Sequence, residues 1–126
     1  MALKFPDGWP KDCPPNDAID ATGDVFRIVK NKPPNNDDMA SHHESGKLPN
    51  ANPCLRCGLS VLQELGDAIH QRKLLPKLGK LIAKCTLEAV NGKVKPTSGA
   101  QPTHMTWWPY EGVARAQLFV VVNEDV

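Results

Sequence analysis

The chain has 126 residues, of which 15 are Lys or Arg and 14 are Asp or Glu, so its formal net charge is +1. A near-neutral chain of this length fits one domain with one core, and it lacks the strong field that favours nucleic acid or an anionic membrane. Its longest apolar run, Leu118–Val122, is far too short to span a membrane. No apolar signal segment follows Met1, so we expect a soluble cytoplasmic protein.

The N-terminal segment is rich in proline and poor in large apolar side chains. Four prolines and a glycine break any regular element there. We therefore expect an extended arm over residues 1–23, held against the body by Trp9. A single α+β domain is expected over residues 24–126.

Alternation of apolar and polar residues, which is the period of a strand, predicts most of the remaining structure. The expected strands are Asp24–Lys30, Gly58–Leu62, Leu81–Leu87, Gly92–Lys95, His104–Trp108 and Gln117–Val122. Asn91-Gly92 is the strongest hairpin signal, because a type I′ turn needs positive φ at both central positions. It should fold Gly92–Lys95 back beside Leu81–Leu87.

Two helices are expected between the strands. Apolar residues at helical spacing predict the main helix near Gln63–Leu75, stopped by Pro76. A short helix should begin at Asn36 or Asp37 and end at Gly46. One main helix, one short helix and several short strands predict an α+β fold, with a bent or split sheet rich in antiparallel pairs.

The four cysteines, at positions 13, 54, 57 and 85, could form two disulfides, but nothing in the sequence suggests export. In a cytoplasmic protein they are expected to be reduced, with Cys54 and Cys57 a structural, non-catalytic pair that binds no metal. Cys85 lies in an apolar alternation and should be a small buried side chain. The alternative is a zinc-stabilised interaction domain, because Cys54, Cys57, His42 and His43 are residue types that bind zinc.

The segment His104–Glu111 holds an imidazole, a hydroxyl, a carboxylate and three aromatic rings within eight positions. Such a segment can form a wall for a flat ring together with polar groups that orient it. Its alternation places His104 and Trp108 on one face and Trp107 on the other. In the alternative interpretation the indoles are simply core side chains.

Arg27 interrupts a face that is otherwise formed by Val25 and Val29. A buried guanidinium needs an anion or a carbonyl partner, which a phosphate-bearing ligand could supply. The alternative places Arg27 at a sheet edge, where it reaches water.

The order of these features resembles the compact ADP-ribosyltransferase-like fold. The resemblance consists of Arg27 in the first predicted strand, a Gly-Leu-Ser strand before an alanine-bearing helix, an Ile-Ala strand, the Asn-Gly turn and a late acidic residue. That group includes NAD-using transferases and RNA phosphotransferases. The resemblance implies that Arg27 holds NAD, that Ser60 brackets the nicotinamide, and that Glu111 or His104 acts on the ribose.

Three functions follow. The first is NAD-dependent glycosyl transfer, in which Glu111 stabilises an oxocarbenium-like centre. The second is a non-enzymatic module that binds a small molecule or a protein partner in the same groove, and the third is the zinc-stabilised domain.

The first two functions need a common geometry. Arg27 and His104 should line one concave surface, with the indole of Trp107 or Trp108 as its floor and Ser60 on its rim. Arg27→Ala should then abolish stabilisation by a ligand and leave the melt without ligand almost unchanged. The alternative pairs Arg27 with an internal carboxylate and turns His104 towards water.

Overall fold

The computed structural model describes residues 3–122, and residues 1–2 and 123–126 of the expected arm and domain lie outside this range. In chain order the strands and α-helices are β1 (Ile19–Asp20), β2 (Gly23–Val29), α1 (His42–Ser45), α2 (Pro53–Cys57), β3 (Leu59–Leu62), α3 (Leu65–Leu74), β4 (Leu81–Leu87), β5 (Gly92–Pro96), β6 (His104–Pro109), α4 (Arg115–Leu118) and β7 (Val120–Val121). Short 3₁₀ turns cover Asp37–Met39, Pro76–Leu78 and Ala89–Asn91.

The strands form one seven-stranded sheet in the order β1-β5-β6-β3-β2-β4-β7. All the strand pairs within the described range are antiparallel. The expected α+β class with an antiparallel-rich sheet is therefore confirmed. Five of the six expected strands are present within about two residues of their expected ends, and the main helix occupies Leu65–Leu74.

The two faces of the sheet are covered differently. The larger core lies on the face that carries Val25, Val61, Ala83 and Trp107, all of them almost completely buried. On the other face α3 packs its Ala68 against β2, β3 and β4. Cys85 is 4% exposed, in agreement with its expected role as a small buried side chain, and burial raises the pKa of its thiol to about 11.

The N-terminal segment lies against the sheet and adds its edge strand, β1. Phe5 stacks on Trp9 and also contacts Tyr110, and these rings cover the fully buried indole of Trp108. The segment ends in β1, which pairs with β5. Trp9 thus holds the segment on the body, as expected.

A disulfide between Cys13 and Cys54 also fastens this segment. The expectation that Cys54 is reduced is wrong, because the packing of the N-terminal segment brings Cys13 to within 5.4 Å of it, measured between Cα atoms. Cys57 remains a free, buried thiol. Its pKa is raised by burial, which disfavours the thiolate.

The Asn91-Gly92 segment does not form the expected hairpin. β5 pairs with β1 and β6, whereas β4 pairs with β2 and β7, so the chain crosses between the two sides of the sheet at this point. The Asn91 side chain closes a 3₁₀ turn by accepting a hydrogen bond from the Glu88 N–H at 2.7 Å. Gly92 then lies against the backbone of Trp108 with a φ of +132°, where a Cβ would collide with the Trp108 carbonyl.

The expected strand Gln117–Val122 is wrong over its first half, because Arg115–Leu118 forms α4 and the strand is limited to Val120–Val121. Arg115 fixes this helical turn by donating to the carbonyl oxygen of Met39 at 2.9 Å. Phe119 then packs on Trp107, with ring centroids 5.8 Å apart. An apolar run alone does not distinguish a buried helical turn from a strand.

The expected short helix is divided into two pieces. The 3₁₀ turn Asp37–Met39 ends at Ala40, which is extended, and α1 begins after Ser41. Ser41 and Glu44 form a capping box, and this second N-terminal signal restarts the helix. α1 ends at Gly46 with a φ of +68°, as expected from the glycine.

No helix in the range 3–122 combines the length and the hydrophobicity that crossing a bilayer would require.

Candidate functional site

The candidate site is a cleft that opens where β2 and β3 separate. The two strands share a single pair, Phe26 opposite Leu62, after which they diverge. The opening has a volume of about 790 Å³ and is bordered by the Asp37–Lys47 region, α3 and the loop before β6. Arg27, Ser60 and His104 all line it. The expected concave surface with these three residues is therefore present, while their roles towards a ligand stay predictions.

Arg27 spans the gap between the diverging strands. Its Nε donates to the carbonyl oxygen of Asp38 at 2.9 Å, and its Nη1 donates to the carbonyl oxygen of Ser60 at 2.8 Å. The guanidinium thus replaces β2 as the hydrogen-bond partner of β3. Within residues 3–122 its Nη2 has no protein partner, and no buried side-chain nitrogen there is unsatisfied, so Nη2 faces the open cleft.

The charge of Arg27 is held in a partly dehydrated position. Burial lowers the pKa of its guanidinium to about 10; the Asp38 carboxylate opposes this shift, and Arg115 adds to it. The Asp38 carboxylate is occupied by other donors, namely the backbone N–H groups of Lys30 and Asn35 and the side chain of Asn31. Arg27 therefore interacts with the Asp38 carboxylate only by electrostatic attraction and does not form the direct ion pair of the alternative interpretation. The hydrogen-bond partners of Arg27 are carbonyl oxygens.

His104 is held at both ring nitrogens. Nδ1 lies 3.1 Å from the carbonyl oxygen of Thr97 and 3.0 Å from its hydroxyl, and Nε2 lies 3.1 Å from Oγ of Ser60. The ring is half-buried, and a side chain at Gly99 would collide with it, so the loop backbone packs directly on the imidazole. His104 is thus fixed at the cleft and does not simply face water.

Side chains of α3 hold the loop that precedes β6. Asp67 accepts hydrogen bonds from both the backbone N–H and the hydroxyl of Thr103, at 3.1 and 2.6 Å. Gln101 is buried and bonds with His70 and Gln71. These contacts fix the position from which His104 starts its strand.

The charge of the cleft is predominantly positive. Arg27, Lys30, Lys47 and Lys77 line it, against the carboxylates of Asp37 and Asp38, the second of which is already satisfied by three donors. The pKa of the His42 imidazole is lowered at this cleft. Partial burial is the largest cause, and the positive charges of Arg27, Lys47 and Arg56 lower the pKa further. A solvent-accessible cleft with this charge favours anions.

The cleft also has an apolar rim. Leu55, Leu75 and Leu78 line it, and each is more than 40% exposed. Phe26 and Ile28 continue the apolar surface towards the sheet. The cleft therefore combines a cationic side with a surface that can cover an apolar group.

Three predicted residues lie outside the cleft. Both indoles are completely buried in the core, so the expected floor of the cleft is wrong: Trp107 donates to the carbonyl oxygen of Asn91 at 3.1 Å, and Trp108 donates to that of Cys54 at 2.9 Å. Glu111 forms an ion pair with Lys4 at 3.4 Å and is absent from the described lining of the cleft. Consecutive residues of a strand point to opposite faces of the sheet, so the burial of both Trp107 and Trp108 shows that β6 is covered on both faces.

The four candidate zinc ligands do not form a metal site in the described chain. Cys54 is committed to a disulfide and offers no thiolate. Among residues 3–122, no group of three or more His, Cys, Asp or Glu side chains is placed to hold a metal ion. His42 instead lines the cleft.

Two residues at the site had no signal in the sequence. Lys47 lines the cleft and Thr97 holds the ring of His104, and both come from loops, where alternation carries no information and position depends on how the loops close on the sheet. One element had a readable signal: Asn52 accepts hydrogen bonds from the N–H groups of Cys54 and Leu55, and Pro53 follows it, which is the start pattern of a helix such as α2.

Comparison of the chain with models of protein families, with curated proteins and with solved structures finds no match.

Proposed function

We propose that the cleft binds a phosphate-bearing small molecule of the nucleotide class, such as NAD or ADP. The observation that carries this proposal is the convergence of Arg27, Ser60 and His104 on one cleft, with Nη2 of Arg27 left for a ligand. A guanidinium and surrounding ammonium groups are the side chains that recognise phosphate oxygens. The resemblance to ADP-ribosyltransferase-like proteins led us to expect the same three residues at a nucleotide.

The shape of the cleft supports an amphiphilic ligand over a bare anion. Its volume of about 790 Å³ lies within the range of small-molecule sites. Phosphates would lie on the side of Arg27 and Lys47, while a flat ring would lie on the leucine rim formed by Leu55, Leu75 and Leu78.

The proposal is limited to binding and does not include NAD glycosyl chemistry. The resemblance assigned the ribose step to Glu111 or His104. Glu111 is paired with Lys4 away from the described lining of the cleft, and both ring nitrogens of His104 are engaged by Thr97 and Ser60. Ligand binding without turnover of NAD is thus the interpretation that the geometry supports best. A nicotinamide-release assay separates the two versions, because only turnover liberates the base.

The cytoplasmic location expected from the sequence stays a prediction. Reduced thiols were expected as a consequence of that location, whereas Cys13 and Cys54 are joined. Disulfides persist mainly in oxidising compartments, so the covalent chemistry of this chain fits such a compartment better than the cytosol.

The test is a thermal-shift and calorimetric titration with NAD, ADP and inorganic phosphate. A ligand at about one hundred times its Kd should stabilise the fold by roughly 2.7 kcal/mol. ADP should bind more tightly than inorganic phosphate, because only ADP reaches the leucine rim. If none of the three compounds shifts the melt or gives heat at millimolar concentration, the proposal is wrong.

A pair of lysine variants locates the binding. Lys47→Ala removes a cation that lines the cleft and should weaken ADP binding roughly ten-fold, the value of one charge-assisted hydrogen bond. Lys11→Ala removes an exposed lysine of the N-terminal segment, outside the cleft, and is the matched control. Equal affinities in both variants would place ADP elsewhere on the molecule.

A further inference from the structure

The contacts of His104 determine which of its nitrogens carries the proton. Nδ1 lies 3.1 Å from the carbonyl oxygen of Thr97, and a carbonyl oxygen can only accept. The neutral imidazole therefore carries its proton on Nδ1. The hydroxyl of Thr97 accepts from the same N–H at 3.0 Å while it donates to the hydroxyl of Thr106 at 2.8 Å, so all three polar groups are satisfied in this tautomer.

This tautomer leaves a lone pair on Nε2, and Ser60 is the group in front of it. Oγ of Ser60 lies 3.1 Å from Nε2, so the hydroxyl donates its proton to the imidazole. Ser60 is exposed and lines the cleft, where a small molecule can reach its oxygen. A hydroxyl donating to a histidine whose other nitrogen is held by an acceptor is the arrangement that activates serine nucleophiles.

A cation lies on the backbone of the same serine. Nη1 of Arg27 is bonded to the Ser60 carbonyl oxygen, and Nη2 faces the cleft. A fixed guanidinium at this place can stabilise the negative charge that develops when an oxygen attacks a carbonyl carbon. The cleft thus holds the nucleophile Ser60, the base His104 and the cation Arg27, and Thr97 fixes the tautomer of the base.

We propose that Ser60 is a covalent nucleophile and His104 its general base, acting on small esters that fit the cleft. Oγ of Ser60 attacks the ester carbonyl carbon while its proton passes to Nε2 of His104, and Arg27 stabilises the oxyanion. The ester C–O bond then breaks, and the alcohol leaves with the proton from Nε2. Water attacks the acyl-serine, gives one proton to Nε2, and Ser60 leaves with that proton, so ester and water become acid and alcohol.

The proposal stands independently of nucleotide binding, and an uncharged phosphonofluoridate probe tests it directly. Oγ of Ser60 attacks phosphorus, the P–F bond breaks, and the Ser60 proton leaves with fluoride as HF by way of Nε2. We expect one label per chain by intact-mass spectrometry, mapped by peptide analysis to Ser60. The probe needs no phosphate contact, so its failure is distinguishable from failure of the ADP titration.

Variants make the assignment specific. Ser60→Ala should abolish the label, and His104→Gln should slow labelling at least about one hundred-fold, the usual contribution of a positioned base. Ser98→Ala is the control, because Ser98 is also exposed but has no hydrogen bond to a histidine among residues 3–122. Circular dichroism and the melting temperature are recorded for each variant, and a rate is used only from a folded one.

Thr97 supplies a finer readout. Thr97→Val removes the hydroxyl acceptor at Nδ1 and should slow labelling several-fold, whereas Thr97→Ser keeps the hydroxyl and should restore the rate. Absence of labelling in the wild-type chain, a label on another residue, or an unchanged rate in folded His104→Gln would each overturn the proposal.

Discussion

The two neighbours of β2 differ in how they bind it. β4 pairs with β2 at seven successive positions, from Gly23 opposite Leu87 to Val29 opposite Leu81, whereas β3 shares only the pair of Phe26 and Leu62. The complete ladder satisfies its own polar groups and forms core on both faces. The incomplete ladder leaves backbone carbonyls that a side chain must satisfy, and the cleft opens there. β2 therefore forms part of the core on the side of β4 and borders the cleft on the side of β3.

The largest expected effect comes from removing the side chain that bridges the incomplete ladder. Arg27→Ala should destabilise the fold by about 3–5 kcal/mol, because it leaves the carbonyl oxygens of Ser60 and Asp38 without their donors and the Asp38 charge without its cation. ADP binding should be lost as well. Chemical denaturation and calorimetry measure both effects. This expectation replaces the sequence-based one, in which the melt without ligand was unchanged.

The complete ladder provides the contrast. Ile82→Val, at a fully buried position of β4, should cost about 0.5–1.5 kcal/mol and leave ADP affinity unchanged, since Ile82 is part of the core under α3. A melt of Arg27→Ala that matches the wild type would show that the cleft is not held open by this guanidinium.

An effect smaller than that of Arg27→Ala is expected from removing the disulfide, which links the N-terminal segment to α2 just before β3. The bridge closes a separation of 41 residues, and its removal in the double variant Cys13→Ser/Cys54→Ser should cost about 2–4 kcal/mol. Hydrogen exchange should show early loss of protection in β1 and β5, with β2 and β4 still protected. Reductant should destabilise the wild type and leave the double variant unaffected; a drop in both would point to another cause.

The smallest effect concerns the wall of the cleft. Burial would raise the pKa of Glu44, but hydrogen bonds from Arg115 and from the Ser41 backbone outweigh it and hold the pKa below its ordinary value of 4.5. A carboxyl pKa that is lower in the folded state stabilises the fold above that ordinary value, and this contribution disappears as pH falls through the folded-state pKa. The Arg115 contacts, at 2.7 and 3.1 Å, are partly exposed, so the gain is under about 1 kcal/mol.

Denaturation of Glu44→Gln and of the wild type at pH 7 and pH 3 measures this contribution. The variant should be the less stable chain at pH 7, and the difference should shrink towards pH 3, as the Glu44 carboxyl takes up a proton. An equal difference at the two pH values would show that the charge of Glu44 is not what fastens α1 to α4.

The sequence by itself determined five of the seven strands and where the main helix lies. Alternation predicts β2, β4 and β6, helical spacing predicts α3, and Gly46 marks the end of α1, because each of these signals is local to its own segment. Reasoning from strand positions also selected Arg27 and His104, since a guanidinium and an imidazole on strands need partners that the strand itself does not provide, whereas Ser60 was selected by the resemblance to the ADP-ribosyltransferase-like fold.

Only the tertiary structure decided which segments meet. A local Asn-Gly signal does not reveal that Gly92 must lie against Trp108, and this contact sends β5 to the far side of the sheet. The burial of Trp108 and the pairing of Cys13 with Cys54 depend on how the N-terminal segment covers β6, and the burial of Trp107 depends on Phe119 packing on the other face. The cleft itself results from a strand pair that ends after one position. The hydrophobic period can be read from one segment alone. The pairing of two strands, the burial of one segment by another and the separation of β2 from β3 each depend on two segments.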